Sequence, residues 1–277
     1  MPLDKENLHN LTGLWKKYGV CEKSQTPDGI QINRDWPHRV WMEQTDNGFA
    51  AFDSTSDFSS SLQSALHEVP MGTVFPLWIP NPILGDFKAV VPSYGLDSEK
   101  LKQLLQQSGW HKTFEQTAMY LNLDKLNPEN NAAKRDEKDL DDLHLIAVTS
   151  QEDLSHWIKI ASEAFQYDVN SESLIPLLDD SDIRILLGQF QGSPVACALL
   201  YKTGSIIGLH QMGVRKDYQG KGIARRFMYK LMQLSAEWSG KTMVLQASNA
   251  GLPLYEKLGF SEQFFIENYQ KTTSNNG

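Results

Sequence analysis

The most constraining feature of this sequence is a glycine-rich segment that separates an apolar stretch from an amphipathic one. The apolar stretch covers residues 206–214, the loop Gln219-Gly220-Lys221-Gly222 follows, and a helical pattern of apolar residues begins at Ile223. This order predicts a strand, a loop and the first turn of a helix. Backbone N–H groups converge at such a junction, and the helix dipole adds to their field. The segment therefore predicts a binding site for a phosphate group.

Other loops of similar composition explain the segment less well. A dinucleotide-binding loop requires a third glycine at the position that Arg225 occupies. A P-loop requires the run G-x-x-x-x-G-K-[ST], which the sequence does not contain. A pair of glycines alone would form an ordinary turn, so the residues around the pair decide the interpretation.

Two motifs in this region resemble those of the GNAT superfamily of N-acyltransferases. Gln219-x-x-Gly222-x-Ala224 resembles the Q/R-x-x-G-x-G/A signature with which that superfamily binds the pyrophosphate of acyl-coenzyme A. Some thirty residues later, the run from Leu254 to Phe260 resembles the second signature. Both motifs occur in the usual order and at the usual separation, and the resemblance covers roughly residues 143–270.

The predicted elements after residue 143 follow the order β-α-α-β-β-β-α-β-α-β of that superfamily. Strands are predicted at Leu143–Val148, Ile183–Phe190, Val195–Tyr201, Ile206–Val214, Thr242–Ala247 and Glu262–Tyr269, and helices after Thr149, at Ser171–Leu178, from Ile223 and at Pro253–Leu258. Thr149 and Glu152 form a candidate capping box. The third helix is predicted to have an apolar stripe of Ile223, Phe227, Leu231, Leu234 and Trp238, with Ala224, Met228 and Met232 beside it. The fold class predicted is α/β (α+β), a GNAT fold with helices flanking a mixed, mostly antiparallel sheet.

Two domains are predicted. The segment at about 127–142 is dense in charge and almost free of apolar residues, which is typical of a linker. It separates an N-terminal domain, residues 1–140, from a catalytic GNAT acetyltransferase domain, residues 143–277. Five of the seven tryptophans precede the linker, so the first domain should have a core of its own.

The end of the N-terminal domain resembles the end of the C-terminal one. A leucine-rich helix around Leu101–Leu105 leads to Gly109-Trp110 and then to a strand at Thr117–Leu123. This order suggests a degenerate GNAT-like domain and hence two GNAT-like domains in tandem, although independent convergence on helix, turn and strand explains it equally well. Further upstream, Phe75–Ile79 is a predicted strand, and Asp46-Asn47-Gly48 predicts a hairpin between Val40–Met42 and Phe49–Phe52.

The resemblance implies acetyl-coenzyme A (acetyl-CoA) as co-substrate and no metal. It implies that the strand before the loop separates from its neighbour at a bulge, and that free backbone groups of Met212 and Val214 there pair with the pantetheine arm. It also implies that the loop amides surround the pyrophosphate. Lys221 and Arg225 either add charge there or form a solvated basic face. Many members carry asparagine seven residues before the tyrosine of the second motif, where this chain has Ser248 followed by Asn249. The cofactor-binding residues implied are Met212, Gly213, Val214, Gln219, Gly220, Lys221, Gly222, Ile223, Ala224, Arg225, Ser248 and Asn249.

Three residues are candidates for the chemistry. Tyr255 occupies the position of the tyrosine that protonates the leaving thiolate in the superfamily, and its alternative is a packing role. His210 is a candidate general base, since an imidazole pKa near ~6.5 suits proton removal, and period-two alternation predicts it on the side of Met212 and Val214. The alternative is a structural histidine beside the cleft whose hydrogen bonds are satisfied and which takes no part in the chemistry. Asp168 is a candidate for binding the substrate amine.

Composition limits the partners. The 277 residues include 26 Lys and Arg against 34 Asp and Glu, and the resulting net charge of -8 argues against nucleic acid. The two cysteines form no disulfide framework, and the apolar runs are shorter than the ~18 residues of a membrane helix. We expect a cytoplasmic protein without a membrane partner, either monomer or homodimer.

The resemblance implies an N-acetyltransferase that promotes direct attack by a small-molecule or peptide amine in a ternary complex. The alternative is a non-catalytic acyl-CoA sensor or scaffold.

Overall fold

The computed structural model describes residues 3–18, 21–23, 30–42, 64, 66–67, 69–81, 98–125 and 142–271. The chain divides into two compact units, Met1–Ala118 with Gln263–Gly277, and Met119–Glu262. Both divisions fall inside strands. Nearly all of the predicted linker at 127–142 lies outside the described residues, as does the predicted hairpin at 46–48, so both stay predictions.

Helices and strands cover most of the described residues. In chain order the helices are α1 (Leu3–Lys17), α2 (Ser98–Gln107), α3 (Gln151–Phe165), α4 (Ser171–Leu174), α5 (Ile223–Glu237) and α6 (Leu252–Lys257). The strands are β1 (Cys21–Lys23), β2 (Ile30–Asn33), β3 (Arg39–Met42), β4 (Val74–Pro80), β5 (Trp110–Asn122), β6 (Leu143–Ala147), β7 (Ile183–Phe190), β8 (Ser193–Thr203), β9 (Ile206–Val214), β10 (Thr242–Ser248) and β11 (Ser261–Lys271). Short 3-10 turns occupy Leu123–Lys125, Ile175–Leu177 and Lys216–Tyr218.

The first unit has a mixed sheet, in which β4 lies between β3 and β11. The β1–β2, β2–β3 and β4–β11 pairs are antiparallel, whereas β3 pairs with β4 in parallel. The predicted strand at Phe75–Ile79 lies within β4, and the predicted helix around Leu101–Leu105 lies within α2. The strand predicted at Thr117–Leu123 was too short, because β5 begins at Trp110. Its exposed polar residues in the first half conceal the strand in the sequence.

The second unit has the sheet order β10-β9-β8-β7-β6, with β9 and β10 parallel and the other described pairs antiparallel. Helix α5 packs its buried Phe227, Met228 and Leu231 into the large apolar cluster on one face. Helix α3 covers the opposite face, where a Cβ atom on Gly213 would lie 2.7 Å from that of Ala164. The predicted fold class, a mixed and mostly antiparallel sheet flanked by helices, is confirmed.

Two local predictions were wrong. The N-cap of α3 is Ser150 rather than Thr149, since the Ser150 hydroxyl accepts a hydrogen bond from the Asp153 N–H at 3.1 Å. The capping interaction therefore starts one residue later than predicted. On α5 the buried face includes Met232 and Ser235. Leu234 and Trp238, which were predicted on the apolar stripe, are only half-buried. Trp238 lies beyond the last helical residue, and its ring packs 4.3 Å from the Arg184 guanidinium.

Candidate active site

Strands β9 and β10 separate from each other halfway along their length. They pair in parallel from Ile206 and Thr242 up to Leu209 and Leu245. Both strands then continue, to Val214 and Ser248, without further pairing between them. The second halves of the two strands therefore border a gap in the sheet.

The backbone of β9 is oriented for a ligand in this gap. The Arg215 N–H donates to the Val195 carbonyl at 2.9 Å, and Gly213 is the register partner of Cys197. Antiparallel pairing alternates between bonded and non-bonded residues, so Gly213 and Arg215 direct their polar groups toward β8. Met212 and Val214 consequently direct theirs toward the gap. This is the orientation predicted for pairing with a pantetheine arm.

A β-bulge shapes β9 beside the gap. The β8–β9 register shifts between Cys197 and Leu199, and Gln211 adopts a left-handed backbone conformation with φ 50°. The indole N–H of Trp157 on α3 donates at 3.0 Å to the carbonyl of Ala198, the β8 residue at which the register shifts. The Cys197 thiol donates to the Gln211 carbonyl at 3.4 Å. Side chains of α3 and β8 thus form hydrogen bonds with backbone carbonyls at the bulge.

The bulge places His210 differently from the prediction. Val214 belongs to the apolar cluster beneath α5, and Met212 packs against it. His210 pairs with Leu199 of β8, and neither His210 nor Leu199 belongs to that cluster. The predicted common side was wrong because the bulge adds one residue and reverses the alternation. Burial also lowers the pKa of His210 to about 3. A base this weak is poorly matched to an ammonium group, whose pKa is ~10. The proposed role as general base stays a prediction.

The lowered pKa of His210 predicts an acid-sensitive fold. Between pH ~6.5 and about 3 the unfolded chain binds a proton at this histidine that the folded chain does not, so stability falls as the pH falls. We expect His210→Gln to remove this contribution, which amounts to about 1.4 kcal/mol per pH unit. Urea unfolding of both proteins from pH 7 to pH 4.5 measures it, with His144→Gln on an exposed position of β6 as the control substitution. Parallel curves for wild type and His210→Gln would contradict a neutral buried imidazole.

The glycine loop connects β9 to α5 and depends on backbone conformation. Gly220 and Gly222 both have φ 74°, and a Cβ atom on either would meet open space, so the dihedral angle rather than crowding requires glycine. The Gln219 side-chain amide donates to the Val214 carbonyl at 3.1 Å and ties the loop to the end of β9. Gly222 caps α5 without a side-chain hydrogen bond, and the first turn contains no acidic residue. The first N–H groups of α5 are therefore available to an anion.

Two cations of the loop region rest against aromatic rings. The Lys221 ammonium lies 5.0 Å from the centre of the Tyr218 ring. The Arg225 guanidinium lies 5.6 Å from that of Tyr229 and donates to its hydroxyl at 3.4 Å. These contacts hold positive charge at the start of α5 without neutralising it, which suits a site for a polyanion.

The two candidate coenzyme contacts after β10 are exposed. The Ser248 hydroxyl accepts a hydrogen bond from the Gly251 N–H at 3.2 Å, and the Ser248 carbonyl accepts from the same donor at 2.9 Å. Asn249 lies in the turn that follows β10. The Ser248 hydroxyl therefore shapes the turn before α6, while the Asn249 side chain faces solvent.

Tyr255 lies on α6 with its ring in the apolar cluster. It is 8% exposed, packs edge-on against Phe260 at 5.6 Å, and would be 3.1 Å from a Cβ atom on Gly251. Within the described part of the chain its hydroxyl makes no hydrogen bond, although the hydroxyl is not fully enclosed. Burial raises the pKa of Tyr255 to about 12. The phenol is thus protonated at neutral pH and can donate a hydrogen bond.

The structure brings the predicted coenzyme-binding residues to one edge of the second unit. They lie at the end of β9, in the loop, in the first turn of α5 and after β10, and the carboxyl ends of parallel β9 and β10 face the same way. Their assignment as coenzyme contacts stays a prediction. In the described residues, no group of three or more His, Cys, Asp or Glu is placed to hold a metal ion.

Trp157 is a positioning residue that sequence reasoning missed, because the helical pattern indicated only that it packs in the core. It is fully buried, and its N–H donates to the carbonyl of Ala198, where the β8–β9 register shifts. We expect Trp157→Phe to lower the free energy of unfolding by about 1 kcal/mol, since one buried hydrogen bond is lost. It should also lower kcat by loosening the bulge.

Trp238→Phe is the matched control, because the Trp238 indole N–H has no partner among the residues that the structure describes. Urea unfolding and steady-state kinetics of both variants measure the difference. Equal losses in the two variants would contradict a role for the Trp157 hydrogen bond.

The comparisons with known proteins agree with this architecture. Residues 154–260 match the model described as "Acetyltransferase (GNAT) family". A GCN5-related N-acetyltransferase from Kribbella flavida superimposes with a TM-score of 0.65 at 13% identity, covering 99% of this chain and 96% of that chain. One from Sphaerobacter thermophilus gives a TM-score of 0.58 at 15% identity, covering 87% and 75%. A putative GNAT acetyltransferase from Novosphingobium aromaticivorans gives 0.56 at 14% identity, covering 99% and 100%. No curated protein matches the sequence significantly.

The fold, the glycine loop and the family match together show that residues 154–260 are similar to the domain of GNAT acetyltransferases. The predicted resemblance is confirmed. Among the described residues, no helix has the length and apolar character needed to cross a membrane.

Proposed function

We propose that this protein is an N-acetyltransferase that moves an acetyl group from acetyl-CoA to a primary amine by direct attack in a ternary complex. The observation that carries the proposal is the gap between β9 and β10, which lies beside an uncapped helix N-terminus and a buried tyrosine. The match of residues 154–260 to the GNAT family model supports acyl transfer as the class of reaction.

The residues around the gap suit the two ends of the coenzyme. The backbone groups of Met212 and the Val214 N–H face the gap, where they would pair with the pantetheine arm as with an added strand. The N–H groups after Gly222 and the cations of Lys221 and Arg225 would hold the pyrophosphate. Acetyl-CoA supplies the thioester that is consumed.

Tyr255 would stabilise the departing sulfur. An N–C bond forms while the C–S bond breaks, the amine loses one proton and the released sulfur gains one. A phenol with a pKa near 12 is a weaker acid than a thiol, whose pKa is ~8.5, so Tyr255 would act mainly as a hydrogen-bond donor to the sulfur. The low pKa of His210 favours loss of the amine proton to solvent before attack.

A thiol-release assay over a panel of small-molecule and peptide amines tests the proposal. Release of free coenzyme A that requires an amine supports acetyl transfer. Tight binding of acetyl-CoA without release from any amine would instead support the non-catalytic sensor or scaffold.

We also propose that residues 1–140 form a second, degenerate GNAT-like domain. Structural matches that cover 99% of the chain support this proposal, and the sequence before residue 119 contains no Q-x-x-G-x-G/A loop. We therefore expect one acetyl-CoA site per chain. Calorimetric titration measures the number, and a stoichiometry of two would contradict the degenerate-domain assignment.

A further inference from the structure

An exposed aromatic pair lies at the end of α3. The rings of Phe165 and Tyr167 stack with centroids 5.8 Å apart at an interplanar angle of 21°, and the residues are 37% and 43% exposed. Together with Ile175, they are all the exposed large hydrophobic residues described for the second unit. Large apolar groups gathered in one exposed segment indicate a binding surface.

This pair adjoins the bulge of β9. A Cβ atom on Gly213 would lie 3.6 Å from the Phe165 ring. The Gln211 side-chain amide donates to the Tyr167 hydroxyl at 3.4 Å. Gln211 and Gly213 flank Met212, whose backbone faces the gap, so the two rings lie beside the place where the acetyl group would be transferred.

The segment that carries the rings is strongly acidic. Between Ile160 and Ile183 there is no Lys or Arg, whereas the carboxylates are Glu163, Asp168, Glu172, Asp179, Asp180 and Asp182. Asp168 is exposed, follows Tyr167 directly, and makes no hydrogen bond or ion pair with the described residues. The net negative charge of this segment attracts cations.

We propose that the acceptor is a cationic primary amine joined by a short linker to an aromatic ring. The ring stacks on Phe165 and Tyr167, which selects an aromatic group over a polar one. Asp168 attracts the ammonium group before it loses its proton. The linker is short because the ring surface adjoins residues 211–213 of β9. This inference rests on the proposed acetyl transfer.

Amine binding to the full chain in the presence of free coenzyme A tests the inference without turnover. The probes are 2-phenylethylamine and ethanolamine, which have the same charge and differ in the ring. We expect calorimetry to show about 10-fold tighter binding of 2-phenylethylamine, the size expected for aromatic stacking.

Variants locate the binding surface. Tyr167→Ala should weaken 2-phenylethylamine binding about 10-fold and leave ethanolamine binding unchanged, whereas Tyr167→Phe, which keeps the ring, should stay within about 2-fold of wild type. Phe114→Ala removes a ring of similar exposure, 42%, from the first unit and should change neither. Asp168→Asn should weaken both amines alike, with a smaller effect at high salt.

The outcomes separate this inference from the proposed function. Equal affinity for the two amines, or unchanged 2-phenylethylamine binding in Tyr167→Ala, overturns the inference even when amines are acetylated. Selective binding that Tyr167→Ala abolishes supports the inference. If no coenzyme A is then released from acetyl-CoA, the proposed transfer fails while the aromatic-amine site stands.

Discussion

Gly222→Asp is expected to raise the Kd for acetyl-CoA by at least about 100-fold. Gly222 has φ 74°, a conformation that costs other residues ~1–2 kcal/mol, and it caps the helix whose free N–H groups face the expected pyrophosphate. The new carboxylate would repel that anion, and two unit charges 4 Å apart near a protein surface interact by ~4 kcal/mol. Isothermal titration calorimetry measures the change in affinity.

Gly192→Asp is the matched control for this prediction. Gly192 has φ 79° in the turn between β7 and β8, and a Cβ atom there also meets open space. The two variants therefore share the backbone strain and the added charge. Only Gly222→Asp introduces the strain and the charge at the glycine loop before α5. Normal affinity in Gly222→Asp would show that the loop does not bind the pyrophosphate.

Tyr255→Phe is expected to lower kcat on a verified acceptor by about 100-fold, the effect of one positioned proton or hydrogen-bond donor. The Kd for acetyl-CoA should hardly change, because the ring and its contact with Phe260 remain. Burial raises the pKa of Tyr255 to about 12. Deprotonation of this phenol should therefore cause no fall in kcat around pH 10.

Tyr201→Phe controls for the loss of a buried phenol, since Tyr201 is also 8% exposed but lies on β8. Single-turnover kinetics and calorimetry on both variants separate chemistry from binding. An unchanged kcat in Tyr255→Phe would leave Tyr255 with a packing role only.

The first unit shows why some elements escaped prediction. Helix α1 buries Leu8, Leu11 and Leu14, but it also buries Asn7 and Asn10, which interrupt the apolar pattern. The Asn7 amide donates to the Gln263 side chain at 2.6 Å, across 256 residues of sequence. Because that partner is remote in the chain, the sequence around α1 contains no sign that a buried asparagine is satisfied there.

The sequence by itself determined the elements around the proposed site, since each depends on neighbouring residues. Strands β7 and β9 have their predicted bounds because turn glycines border the apolar runs, Gly192 after β7 and Gly204 before β9. The loop follows from Gly220 and Gly222, which adopt the left-handed conformation that other residues resist. The motif around Tyr255 predicted α6 and its place after β10 in the same way.

Only the tertiary structure decided the features that depend on residues far apart in sequence. Beside the bulge at Gln211, the Trp157 indole of α3 donates a hydrogen bond to the Ala198 carbonyl of β8, which is 41 residues away in the sequence. That bulge turns His210 away from Met212, and burial then lowers its pKa to about 3. The pairing of β9 and β10 also ends at Leu209 and Leu245 with no local signal. Register and burial arise when separate elements pack together, so period-two alternation along one strand does not contain them.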